Sequence, residues 1–168
     1  MKKRAFLLAM LFLAPWMTLF STGGKVNFSG TWLFNKEKTT GAENARFIPA
    51  KLVVAQSGNE LTIERVYKRE YEDDFIFTEK LTLDGKECIT TVMETPKKST
   101  VNWSADSTTM TIVSKMVFER DGNQMTWNIT ELWNLSDGGK TLSADLTSSS
   151  QQGESKYLLM FDKAPEPK

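Results

Sequence analysis

The chain of 168 residues contains no histidine and one cysteine. Every Ser-His, Cys-His and His-metal arrangement is therefore closed to it, and with them the commonest hydrolase and metalloenzyme mechanisms. Cys88 has no partner for an internal disulfide and no imidazole to activate it, so it reads as a small apolar residue on a strand. A carboxylate pair could still run a glycosidase-type mechanism without histidine. Glu79 and Glu131 are the candidates, because each shares the parity of apolar neighbours: Glu79 lies with Phe75, Phe77, Leu81 and Leu83, and Glu131 with Ile129 and Trp133. Arg65 falls on the same kind of face, with Leu61, Ile63 and Tyr67. An ion on an apolar face needs a partner or water, since burying it alone costs several kcal/mol. Two readings stay open. Arg65, with Tyr157 and Trp127, binds a ligand's polar head, or Arg65 pairs with Glu79 or Glu131. No Gly-rich phosphate loop, metal-spaced cysteines or acidic calcium loop is present, so no metal or cofactor is expected and the chain does not read as an enzyme.

Strands must position these side chains. From Phe28 onward apolar and polar residues alternate at period two, broken by turn signals such as Ser57-Gly58-Asn59, Asp84-Gly85, Pro96-Lys97, Asp121-Gly122-Asn123 and Asp137-Gly138-Gly139. The spacing predicts strands over 28–34, 48–56, 60–69, 74–83, 86–94, 99–105, 108–120, 124–135, 140–149 and 155–163. Hairpin-linked strands make a meander, and a flat meander would expose two long edges. Closure into an antiparallel up-and-down β-barrel of about 8–10 strands removes them. The polar stretch from Asn35 to Phe47 has no strand pattern and reads as a lid across one mouth or as a solvated loop. Trp103, on a short strand, is expected to reach the mouth. The ten Phe, five Trp and three Tyr either line a cavity or fill the core.

The first residues read as an address. Met1-Lys2-Lys3-Arg4 is followed by the sixteen-residue run Ala5–Phe20, short of the roughly 20 that a spanning helix needs, and then by Ser21 and Gly23. This predicts a signal peptide over 1–23, a domain over 24–163 and a disordered tail over 164–168. Removing Lys2, Lys3 and Arg4 from the 21 basic residues leaves 18 against 21 acidic ones, which argues against nucleic acid and anionic membranes as partners. A periplasmic or secreted location, reached by a bacterial-type export route, is the expectation, with a monomer as the working form. The Asn-x-Ser/Thr matches at Asn27, Asn102, Asn128 and Asn134 are read as chance.

Phe28-Ser29-Gly30-Thr31-Trp32 resembles the Gly-x-Trp signature on the first barrel strand of the calycins, the lipocalins and fatty-acid-binding proteins. Glycine there lets the strand bend and approach its neighbour, and tryptophan plugs one barrel end. Leu81 to Glu87 looks like a mid-barrel hairpin of fatty-acid-binding proteins. The resemblance implies a lipocalin-like barrel, like small exported bacterial domains, with a basic residue over the Trp, here Lys156 or Lys163. The reading that follows is non-covalent binding of a small apolar or amphipathic molecule, and the residues on the inner strand faces expected to carry it are Arg65, Phe77, Met116, Trp127 and Tyr157. The alternative is a filled module that contacts an exported protein or a glycan through its surface.

Overall fold

A computed structural model describes residues 24–165, apart from positions 44, 46 and 121 and the side chain of Arg120. The expected signal peptide, and the last three residues of the expected tail, lie outside the described residues. Ten strands follow in order: β1 Gly30–Phe34, β2 Lys51–Ser57, β3 Glu60–Tyr67, β4 Phe75–Thr82, β5 Cys88–Val92, β6 Thr95–Trp103, β7 Met110–Arg120, β8 Asn123–Ser136, β9 Thr141–Ser150 and β10 Gly153–Lys163. All pairings are antiparallel, in the order β4-β3-β2-β1-β10-β9-β8-β7-β6-β5. Pairing of β1 with β10, with Trp32 opposite Lys163 and Phe34 opposite Phe161, joins the first and last strands and bends the meander into a barrel.

Closure is not complete. β4 and β5 end the sheet and do not pair, although the Asp84-Gly85 turn between them carries a hairpin signature. The turn is formed locally: Asp84 Oδ1 accepts from Thr82 Oγ1 at 2.8 Å and from the Lys86 amide at 3.3 Å, and Gly85 takes φ +79°. The strands leaving it nevertheless diverge, so the expected mid-barrel hairpin is instead a connection across an opening in the wall. A second correction concerns the next turn. Met93 and Glu94, both at positive φ, make the reversal between β5 and β6, and Pro96-Lys97 belongs to β6. Pro96 is tolerated because it sits at the start of the strand, before the β7 ladder begins at Lys97.

One end of the barrel is packed solid. Phe28, Trp32, Leu61, Met110 and Trp133 are fully buried there, and residues 25–28 cross beneath them. Lys25 Nζ donates to the Leu83 carbonyl at 2.7 Å, the Val26 amide to Ser107 at 3.1 Å, and Trp32 Nε1 to the Phe28 carbonyl at 2.9 Å. Phe28 stacks edge-on against Trp133, with centroids 5.9 Å apart, and lies 6.0 Å from the Trp103 ring. Trp103 is thus at the closed end, not the mouth, because its strand runs toward the plug. Each fully buried aliphatic or Phe side chain contributes roughly 1.5–3 kcal/mol, so this end anchors the fold.

The stretch after β1 is not a free loop. Thr40 bridges to Leu158, the Asn35 amide donates to Met160, and Lys38 and Asn35 both reach Asp162, which pins residues 35–40 along β10. Ala45, Phe47 and Pro49 then pass beside the open end. Ala164 donates to the Thr31 carbonyl and so continues the β10 side by one residue beyond the expected boundary.

Candidate functional site

Above the plug the interior changes from hydrocarbon to charge. Strand alternation carries Leu61, Ile63, Arg65 and Tyr67 up the inside of β3, and Trp133, Glu131, Ile129 and Trp127 up the inside of β8. At mid-depth these strands, with β4 and β6, form one buried network. Arg65 Nε donates to Glu79 Oε2 at 3.1 Å, and its Nη2 donates to Glu131 Oε1 at 2.9 Å and Oε2 at 3.1 Å. Lys97 Nζ donates to Glu79 Oε1 at 2.7 Å, and Trp133 Nε1 to Glu131 Oε2 at 3.0 Å. The Arg65 guanidinium also lies 5.8 Å from the Trp133 ring, and Lys97 Nζ 5.5 Å from the Phe77 ring. Beside the network, Ser99 and Ser114 share a 2.8 Å hydrogen bond.

Both open readings of Arg65 are thereby narrowed. It pairs with Glu79 and with Glu131 at once, and it still borders the space above. Burial works against the charge on Arg65, but the carboxylates of Glu131 and Glu79 outweigh it and hold the guanidinium's pKa above its ordinary value. Burial likewise opposes ionisation of Glu79, and the nearby Arg65 and Lys97 cations overcome it, leaving Glu79 below the usual carboxylate range. Tyr67 is pushed up, by burial first and by the two glutamates in addition, against the lowering effect of Arg65.

Over this polar floor lies a cavity of about 790 Å³. Phe77, Met116, Trp127 and Tyr157 all line it together with Arg65, so the five positions singled out for binding are brought to one space. Trp127 stands at the rim, 39% exposed, with its ring edge-on to Phe118 at 5.6 Å. Phe47 and Met93, 75% and 66% exposed, stand on other sides of the mouth. Gly30 and Trp32 are elsewhere, in the plug. Gly30 takes φ +143°, and a Cβ there would stand 3.1 Å from Lys163 Cε. Lys163 is the cation that covers Trp32, with Nζ 5.6 Å from the ring, whereas Lys156 pairs with Glu154 at the far end.

Lys97 is the member of the site that sequence reasoning missed. Its position inside follows from continuing the parity of Trp103, Val101 and Ser99 one step further, which the turn assigned to Pro96-Lys97 cut off. Among the described residues there is no cluster of side chains suited to a metal ion, and no helix long and apolar enough to cross a membrane.

No family model and no curated protein sequence matches the chain. Solved structures do. A zebrafish ileal bile acid-binding protein complexed with cholic acid superposes with a TM-score of 0.53 at 19% identity, covering 82% of this chain and 98% of that one. An abundant heat soluble (SAHS) protein from Ramazzottius varieornatus superposes with a TM-score of 0.54 at 12% identity, covering 84% and 97%. The fold is that of a calycin-like barrel. In this calycin-like barrel the Gly30-x-Trp32 strand and the cation on the last strand come together as the resemblance implies. The connection from β1 to β2 contains no helix among its described residues.

Proposed function

We propose that this protein is an exported barrel that binds one small hydrophobic or amphipathic molecule, non-covalently, in the cavity above the polar floor. The observation that carries the reading is the cavity itself. Its volume of about 790 Å³ falls within the roughly 300–1,000 Å³ of small-molecule sites. Its walls combine apolar side chains such as Phe77, Met116 and Ile129 with a few convergent polar groups, as binding sites do. The alternative of a filled module acting through its surface has less support, since only the lower half of the barrel is packed. A carboxylate-based hydrolase has less still. Glu79 is held ionised by two cations, so it is unsuited to donate a proton as general acid.

Export is part of the proposal and rests on the cationic start and apolar run of residues 1–23. N-terminal sequencing of the protein recovered outside its host's cytoplasm should begin at Gly24, within a few residues. The binding reading is tested by native mass spectrometry of protein purified from its own host. A non-covalent excess of a few hundred daltons is expected, and it would also identify the molecule. A bare mass, together with failure to take up any apolar probe, would overturn the reading.

A further inference from the structure

We infer, on the reading that the cavity binds a small molecule, that the ligand's buried head is an uncharged hydrogen-bond acceptor, a hydroxyl, ester or ketone, rather than a carboxylate. The charge balance of the floor carries this. Arg65 and Lys97 supply two positive charges, and Glu79 and Glu131 supply two negative ones, tied by three ion pairs of 2.7–3.1 Å. A guanidinium fits a carboxylate through a forked contact, but here the protein's own glutamates take that contact. Arg65 grips both oxygens of Glu131, and its Nε is committed to Glu79. Each carboxylate oxygen of the network already accepts a hydrogen bond from a cation. Among the described lining residues the remaining ionic group is Glu154, which is itself paired with Lys156.

What the floor has left is donors, not charge. Arg65 Nη1 and two of the three Lys97 protons have no acceptor among the described residues; Arg65 Nη1 is not sealed off from solvent, and both residues line the cavity. An uncharged oxygen reaching them gains charge-assisted hydrogen bonds and gives up little hydration. An ionised carboxylate loses far more hydration on entering. It would meet no net positive charge in return, and it would stand beside two carboxylates that compete for the same donors. The geometry therefore discriminates against the anion while accepting its neutral counterpart.

Three probes that share one chain and differ at the head test this: palmityl alcohol, methyl palmitate and palmitate, titrated into the protein at about pH 8, where a carboxyl is ionised. Tryptophan fluorescence is a suitable readout, since Trp127 and Trp133 border the cavity. The alcohol and the ester are expected to bind at least about tenfold tighter than palmitate. Palmitate binding as tightly as the alcohol, or more tightly, would overturn the inference while leaving the binding reading intact. No binding by any of the three would count against the binding reading itself and take the inference with it. In Glu131→Gln the floor gains one net positive charge with little change of shape, so the ratio of affinities should move toward palmitate by about tenfold or more. An unchanged ratio in a folded Glu131→Gln protein would also overturn the inference. Should that variant not fold, the comparison of the three probes on the natural protein still decides.

Discussion

Lys97 Nζ on β6 lies 2.7 Å from Glu79 Oε1 on β4, joining two strands that share no backbone hydrogen bond. Both side chains are almost completely buried. The contact therefore does at the opening in the wall what ladder hydrogen bonds do elsewhere, and it ties the break to Arg65 on the neighbouring β3 and, across the interior, to Glu131 on β8. The Thr82 hydroxyl and the Cys88 thiol, 3.6 Å apart, make a weaker second link lower on the same seam.

Lys97→Met should destabilise the protein by about 3 kcal/mol, because it removes one partner of a buried pair and leaves Glu79 with Arg65 alone. Amide exchange should quicken in β4 and β5 more than in β9. Denaturant unfolding that shows a loss below about 1 kcal/mol would mean that the pair does not hold the seam.

Stability should fall in acid through Glu79. Its folded pKa lies below the ordinary 4.5, so its contribution is complete above about 4.5 and is lost as the pH drops through the lower folded value. Glu79→Gln should be less stable at neutral pH and should lose less on acidification. Tyr67 acts at the other end of the scale. Its folded pKa is raised above 10.0, so stability is unaffected below that pH and declines as the pH climbs from there toward the folded value. Chemical denaturation of Tyr67→Phe across the alkaline range should show a flatter decline than the natural protein, and matching slopes would contradict the assignment.

Trp32→Ala should cost ~3–5 kcal/mol, since the ring is fully buried in the plug and packed beneath Lys163. A measured loss under ~1 kcal/mol would remove Trp32 from its role as the plug of the barrel end.

Ser148→Trp places an indole in the cavity from the inner face of β9, where Ser148 lines the wall. Uptake of an apolar probe should weaken at least about tenfold. Thermal stability should change little, because the indole fills open space and does not displace packed atoms. Unimpaired binding in this variant would locate the ligand elsewhere.

Much of this molecule is legible in one dimension. Period-two alternation identifies all ten strands, and it also puts Arg65, Glu79 and Glu131 on inner faces, because side-chain direction along a strand is a local property. The Gly30-x-Trp32 pair is recognisable for a similar reason: positive φ at Gly30 and a large ring two residues later are demands on single positions.

What happens between strands is another matter. Asp84-Gly85 folds as a tight turn, yet whether β4 and β5 then pair depends on where the whole sheet stands when it closes through β1 and β10. Lys97 escaped notice because proline and lysine imitate a turn, while the true reversal at Met93-Glu94 uses two residues with no usual preference for positive φ. Residue types alone also left open whether Arg65 binds a ligand or pairs with a glutamate. Only the tertiary structure shows the pairing with both glutamates, because it sets four side chains from β3, β4, β6 and β8 within hydrogen-bond reach and so determines the net charge of the floor. The same holds for the cavity. A row of apolar residues on a strand states that a face is turned inward, but whether the opposite wall is close enough to fill the space is settled by the radius and taper of the closed barrel.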